Sequence, residues 1–430
     1  MGKTLLIWYI FIINFLGLIL MGIDKRKAIK NRFRIPERTL FTIAILGGSI
    51  GTFVGIYLFR HKTKHLRFTI GVPVILVLQI LAVLFISLYR KEQIESPSTA
   101  VGNELALIQE LDEETIRSFV SYENMMNTPS KSSEIGPETT EAVNLFFKNF
   151  QYHLHSEDIT DDTATVTAEI INIDTKSLAT DLCRALTARN FSISPEHQAP
   201  ETLNDYYALL KDTLENNKYE LTASTAYFHL KRENDIWVIQ ADKTLQDQLV
   251  SGFISWMNDP TLLSPKEVLA IYLDEFVNLS SEGWIEYLKM DDIFSTHSEE
   301  YASAVDQAYA EKIAEYFSYT IESCSVDGDL AAAKLNITSI DMPSILSAYK
   351  TKLLKYAHTT DSITSDDAGL SDATARYLLE TLQEAAVPGI ISVSVTLSND
   401  GHTWQPEITD ELTNALLGNI TKALDTFHTS

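Results

Sequence analysis

Three apolar runs open the chain, at residues 4–22, 39–59 and 69–89, and none contains a charged residue. Each reaches about the 20 residues that a helix needs to cross roughly 30 Å of hydrocarbon. Residues 1–91 therefore predict a membrane module of three apolar helical segments. The first run lacks a small-residue cleavage site before its basic flank and is followed by two more, so it reads as a retained anchor. A polar stretch, residues 92–103, reads as a linker.

Beyond it the pattern alternates between helical and strand periods. In "SPKEVLAIYLDEFVNLS" (264–280), Val268, Ile271, Tyr272 and Phe276 recur at helical spacing, Ser264 is an N-cap, Pro265 fits the first helical position and Glu267 completes a capping box. In "LAAAKLNITSI" (330–340), Ala331, Ala333, Leu335 and Ile337 take one face while Lys334, Asn336 and Thr338 take the other, the mark of a half-buried strand. Residues 325–329 supply a hairpin turn before this strand, and Asn399-Asp400-Gly401 supplies a second. Further helices are expected over 298–316, 343–357 and 371–386, and from Thr409 onward.

The body also matches itself at a fixed shift of 167 residues. "FQYHLHSEDITDDTATVTAEIINIDTKS" (150–177) lies over "FSYTIESCSVDGDLAAAKLNITSIDMPS" (317–344) without a gap, and the same shift sets Trp237 over Trp404. One shift held over such a length predicts duplication, with repeats over 96–260 and 264–427. The fold class expected is an α-helical membrane module followed by two tandem α+β domains, each packing helices on one face of a curved antiparallel sheet as a cone.

Charge separates the two parts. Of 34 Lys/Arg and 58 Asp/Glu, residues 1–91 hold 14 and 2, leaving 20 and 56 for the rest. An acidic body is repelled by nucleic acid and by anionic membranes, which argues against both as its partners. The basic residues sit in two loops: Lys25, Arg26, Lys27, Lys30, Arg32, Arg34 and Arg38, then Arg60, Lys62, Lys64 and Arg67. The positive-inside rule draws both loops to the cytoplasm, yet three full crossings would place them on opposite sides. A middle segment that bends back at Gly47-Gly48, dipping in and returning, resolves the conflict and puts the body outside the cell. Three full crossings, the competing arrangement, put it in the cytoplasm.

Gly47, Gly51 and Gly55 recur every four residues with Gly48 beside them, a smooth face for close helix packing. Packing within the chain is the default, and homo-oligomerisation through this segment is the alternative. Asn14 and Gln79, inside apolar runs, are expected to bond between helices at about 1 kcal/mol each. His61 and His65, four apart, lack a Cys or carboxylate partner for a metal. His61, with Lys25, Arg26, Arg60 and Lys62, reads as a cationic flank for lipid headgroups. Asp24 reads as a helix cap or the local partner of Lys25. In the body, Asp174 and Asp341 read as caps, and Trp237 and Trp404 either as packing residues or as a ligand-stacking pair at a cone mouth. The acidic turn 155–162 lacks the carboxylate spacing of a calcium loop. Cys183 and Cys324 are too few for a disulfide framework. No catalytic, metal or cofactor motif is found in the chain.

Asp24-Lys25, Arg34 to Glu37, Gly47-Gly48 with Gly51, Arg60 to Thr63 and Phe68 together resemble the bacterial membrane family called domain of unknown function 1294. The resemblance covers about residues 4–88 and implies a membrane module without an activity. The repeats resemble the nuclear transport factor 2-like fold and uncharacterised repeats of extracytoplasmic proteins of Gram-positive bacteria. The features that carry this are Ile173-Asp174, Ile340-Asp341, and Trp404 after Gly401; the first repeat departs, with Asn234 at the turn-glycine position. Such cones serve both enzymes and binding platforms, so the resemblance alone assigns no reaction. The function expected is a multi-pass, membrane-anchored, non-enzymatic binding or scaffold protein. Its partners are the lipid bilayer and an unidentified protein or envelope ligand. A small-molecule sensor or enzyme using a cone pocket is the alternative.

Overall fold

The computed structural model describes residues 2–92, 95–126, 136–193, 199–288, 294, 296–298 and 300–429. These divide into two compact units: Met1–Ser96 with Glu233–Trp237, and the remainder from Pro97.

In the first unit, α1 (Gly2–Ile29) is followed by α2 (Glu37–Ile43), a π-helical turn at Ala44–Gly48, α3 (Ser49–Leu58), the single turn α4 (Leu66–Thr69) and α5 (Gly71–Glu92). Three stretches are long and apolar enough to cross a membrane: Trp8–Ile29, Glu37–Leu58 and Leu66–Phe85. The middle one is not a straight helix. Gly47 has φ 111°, ψ −2°, a left-handed conformation that interrupts the helix and that glycine adopts without a Cβ penalty. A small core of Met21, Leu40, Ile56, Phe68 and Val72 holds the unit together near the C-terminal end of α1.

Among the described residues the second unit carries two four-stranded antiparallel sheets, β1-β2-β3-β4 and β5-β6-β7-β8 in spatial order, except for residues 233–237 at the β3–β4 turn, which group with the first unit. The strands are β1 (Gln151–Thr160), β2 (Thr163–Ile173), β3 (Leu221–Glu233), β4 (Ile236–Ile239), β5 (Ser318–Asp327), β6 (Leu330–Ile340), β7 (Pro388–Asn399) and β8 (Trp404–Pro406). Alternation decides which face is covered. Ala331, Ala333, Leu335 and Ile337 of β6 are buried with Val393, Val395 and Leu397 of β7, under helices that include Pro265–Val277 and Ala302–Tyr316. Each fully buried Leu or Ile there contributes about 1.5–3 kcal/mol.

The two sheets are built to one plan. Gln151 pairs with Ile171 and Ser318 with Thr338, each 167 residues on. A register shift falls at Leu154/Ser156 in one ladder and at Ile321/Ser323 in the other. The left-handed residues recur too: Asp161 with Gly328, Asn234 with Gly401, Ser251 with Gly418, and Gly252 with Asn419. Asn234 takes its turn-glycine conformation at φ 53°, which asparagine tolerates better than most residues. Asp174 accepts hydrogen bonds from the Lys176 and Ser177 amides, and Asp341 from the Ser344 amide, so both cap the helix after the second strand. The Ser264–Glu267 capping box forms as its sequence specifies.

Two details depart from the sequence reading. Residues 97–103, read as linker, are the start of the helix Pro97–Gln109. A helix at Ser281–Leu288, with Trp284 fully buried, lies where no element was expected.

Candidate functional site

The first unit concentrates its polar groups at two levels. The lower one surrounds the break in the middle segment. Interrupting a helix leaves carbonyls without intrahelical partners, and in hydrocarbon no water replaces them. Here side chains from other helices serve. Tyr9 Oη donates to the Leu46 carbonyl at 2.8 Å, and Asn14 Nδ2 to that of Gly47 at 2.8 Å. Gln79 Nε2 donates to the carbonyls of Ala44 and Ile45 at 2.8 and 2.9 Å, while its Oε1 accepts from Ser49 Oγ. Asn14 Oδ1 accepts from the Gly51 amide at 2.9 Å, capping the first turn of α3 from a neighbouring helix. Asn14 and Gln79 thus bond between helices, each to backbone freed by the break.

The glycine face makes this approach feasible. Gly48, Gly51 and Gly55 are buried and Gly47 half-buried. A Cβ on Gly51 would lie 1.8 Å from the Asn14 carbonyl oxygen, and one on Gly55 2.7 Å from Met21 Cβ. The face is filled by α1 of the same chain.

The upper level is the end of α1. Asp24, fully buried, accepts from the Ile35 amide at 2.9 Å through Oδ1. Its Oδ2 meets His61 Nε2 at 2.9 Å and Lys62 Nζ at 3.1 Å. Lys62 also lies 4.4 Å above the Phe68 ring, and Glu37 stands 4.0 Å from its ammonium. The turn presenting these groups is unusual, because Arg60 (φ 44°) and Lys62 (φ 57°) are both left-handed without being glycine. Such backbone costs on the order of 1–3 kcal/mol per residue and persists where its surroundings fix it, as the Asp24 contacts do.

Asp24 is therefore neither a simple cap nor the partner of Lys25. It joins two loops distant in sequence. His61 is buried and Lys62 nearly so, which removes both from the exposed cationic flank; Arg26 and Arg60 remain exposed and Lys25 half-buried. His65 is exposed while His61 faces Asp24. No group of three metal-binding His, Cys, Asp or Glu residues occurs among the described residues. Sequence reasoning missed Asp24 as a hub, although its being the one acid before Glu37 was a signal.

In the body, Trp237 and Trp404 are both buried, at 7% and 3% exposure, and Trp404 belongs to the core of its repeat. That burial matches packing residues and not an open stacking pair.

A family model described as "Protein of unknown function (DUF1294)" matches residues 14–68, which span Asn14, Asp24, the glycine face, His61 and Lys62. The uncharacterized protein YsdA of Bacillus subtilis (strain 168) is 49% identical over 71 residues, 16% of this chain and 80% of YsdA. Among solved structures, ycdA of Bacillus subtilis subsp. subtilis, described as a lipoprotein, covers 63% of this chain and 94% of its own at 13% identity. Its TM-score of 0.22 is too low to support an argument about the body.

Proposed function

We propose, from the premise that this chain belongs to the DUF1294 family, that its family module is a two-crossing membrane anchor carrying a re-entrant hairpin, and that it displays the acidic body outside the cell as a non-enzymatic binding or scaffold element. One observation carries the reading. Asp24 is bonded by Ile35 of the first basic loop and by His61 and Lys62 of the second, so both loops meet at one end of α1. From that end, the chain reaches the Tyr9–Leu46 contact, 15 residues back along α1 or about 22 Å, before α3 returns it. A segment that starts and finishes at one end does not cross. α1 and α5 then cross in opposite senses. Basic loops are retained on the cytoplasmic side at about 1 kcal/mol per Lys or Arg near an anionic surface, which sends the chain after α5 outward.

The body's charge fits that placement, since an acidic surface stands off anionic headgroups. Its two α+β repeats are read as nuclear transport factor 2-like cones presenting surfaces to an envelope component or protein partner. The glycine face, already occupied by α1, is not the surface through which copies would associate. Protease added to intact protoplasts tests the reading: the body should be removed beyond about residue 95 with the anchor retained. A body protected until lysis would place it in the cytoplasm and end the proposal.

A further inference from the structure

The seam between the two repeats holds a cavity of about 460 Å3, within the size range of small-molecule sites. Its walls belong to different parts of the second unit. Cys183 and Leu186 come from the helix Thr175–Phe191, Met257 ends the helix Phe253–Met257, Asp259 to Leu263 are the segment joining the repeats, and His402 comes from the β7–β8 turn.

These walls are fixed before any ligand arrives. Asn399 Nδ2 donates to the Pro260 carbonyl at 2.8 Å, tying the turn of the second repeat to the joining segment. Asp400 Oδ1 accepts from the His402 and Thr403 amides at 2.8 Å, which sets the turn. Arg184 bridges to Glu267 at 2.7 Å beside the cavity, and Phe191 packs edge-on against Tyr272 with ring centroids 5.4 Å apart. Preorganised walls reduce the ordering cost of binding.

The lining has a definite chemistry. Leu186, Met257, Leu262, Leu263 and the Cys183 sulfur, 3.9 Å from Met257 Sδ, make it mainly apolar and polarisable. Among the described residues Asp259 is its one carboxylate, and no Lys or Arg lines it. Asp259 Oδ1 is engaged by the Thr261 amide and hydroxyl at 2.8 and 2.7 Å, whereas Oδ2 has no partner among the described residues. Burial first, and the Asp259 charge second, push the Cys183 thiol up to about 11, which keeps the thiol neutral.

We infer that the seam cavity is a binding site for a small, mainly apolar monocation, whose hydrocarbon part packs on Leu186, Met257 and Leu263 and whose ammonium pairs with Asp259. An anion meets no Lys or Arg among the described lining residues and is repelled by the acidic body. This site lies between repeats, not inside one cone, and does not depend on which side of the membrane the body occupies.

Three probes of matched apolar size test it on the full chain in nanodiscs: 2-phenylethylamine, 2-phenylethanol and 3-phenylpropanoate, followed by ligand-detected NMR. The amine should bind about tenfold more tightly than the alcohol, the factor for one charge-assisted hydrogen bond, and the carboxylate weakest. Asp259→Asn keeps an oxygen for Thr261 and should erase the preference for amine over alcohol while leaving alcohol binding within twofold. Met257→Trp fills the cavity and should abolish binding of all three. Equal affinities across the probes, carboxylate binding tightest, or an amine preference that survives Asp259→Asn overturns the inference. Binding unchanged in Met257→Trp with the fold retained by circular dichroism does the same.

Discussion

Substituting Gly51 by alanine is the sharpest structural perturbation of the first unit. The added Cβ would sit 1.8 Å from the Asn14 carbonyl oxygen and 2.6 Å from its carbon, both backbone atoms. No rotamer relieves this, so α1 and α3 must part by about 1.5 Å in a close-packed interior. Parting breaks the two bonds that Asn14 makes to the Gly51 amide and the Gly47 carbonyl. At about 1 kcal/mol each these cost about 2 kcal/mol. Overpacking adds about 2 kcal/mol, and the better helix propensity of alanine returns about 1 kcal/mol. The net is about 3 kcal/mol, more than a hundredfold in the folding equilibrium. The assay is SDS titration of the full chain in mixed micelles, with Cys183 and Cys324 replaced by alanine and a fluorophore on Phe33→Cys, whose site is fully exposed. A Gly51→Ala midpoint within about 0.5 kcal/mol of the parent would show that α1 and α3 do not approach at this glycine.

Asp24→Leu should destabilise the first unit by about 3–5 kcal/mol in the same titration, because it strands the Lys62 ammonium at a buried site; an unchanged midpoint would refute the hub. Gly418→Ala should cost more than 2 kcal/mol on thermal melting of the body, since φ is 65° and the Cβ would fall 2.1 Å from the Ile340 carbonyl oxygen. Gly401→Ala, at φ 88° in open space, should cost only about 1 kcal/mol, and equal losses would contradict the geometry. Asp174→Ala and Asp341→Ala should each cost about 1 kcal/mol and add when combined, read by chemical denaturation. With Cys183 held near pKa 11, about one thiol in a thousand is ionised at pH 8, so iodoacetamide should modify it far more slowly than in denaturant and faster as pH rises toward 11; fast modification of the folded chain at pH 8 would contradict its burial.

The sequence revealed elements whose cause is local or periodic. β6 was legible because one face is buried, leaving Ala331, Ala333, Leu335 and Ile337 in strict alternation. The helix starts at Asp174, Ser264 and Asp341 were legible because a cap and the backbone amide that donates to it lie within three residues. The Gly47-Gly48 pair marked where the middle helix breaks, but not what satisfies the freed carbonyls. Those partners, Tyr9, Asn14 and Gln79, come from other helices and follow from packing alone. Asp24 was misread for the same reason: Lys25 is its neighbour in sequence, while its partners lie 37 and 38 residues away. The helix Ser281–Leu288 escaped because it is only about two turns long, with Trp284 buried and Tyr287 half-buried among aromatic rings. The seam cavity is formed by segments more than 200 residues apart and left no local pattern.

The most direct test of the account labels one cysteine at a time in intact cells, in a chain lacking Cys183 and Cys324, with a membrane-impermeant maleimide. The three sites are Phe33→Cys in the first basic loop, Lys64→Cys in the second and Lys218→Cys in the body, all exposed. The account predicts that Lys218→Cys is labelled from outside and that both loop sites are labelled only after the membrane is opened. Labelling of one loop site but not the other in intact cells would mean that the middle segment crosses, and the re-entrant anchor would be wrong.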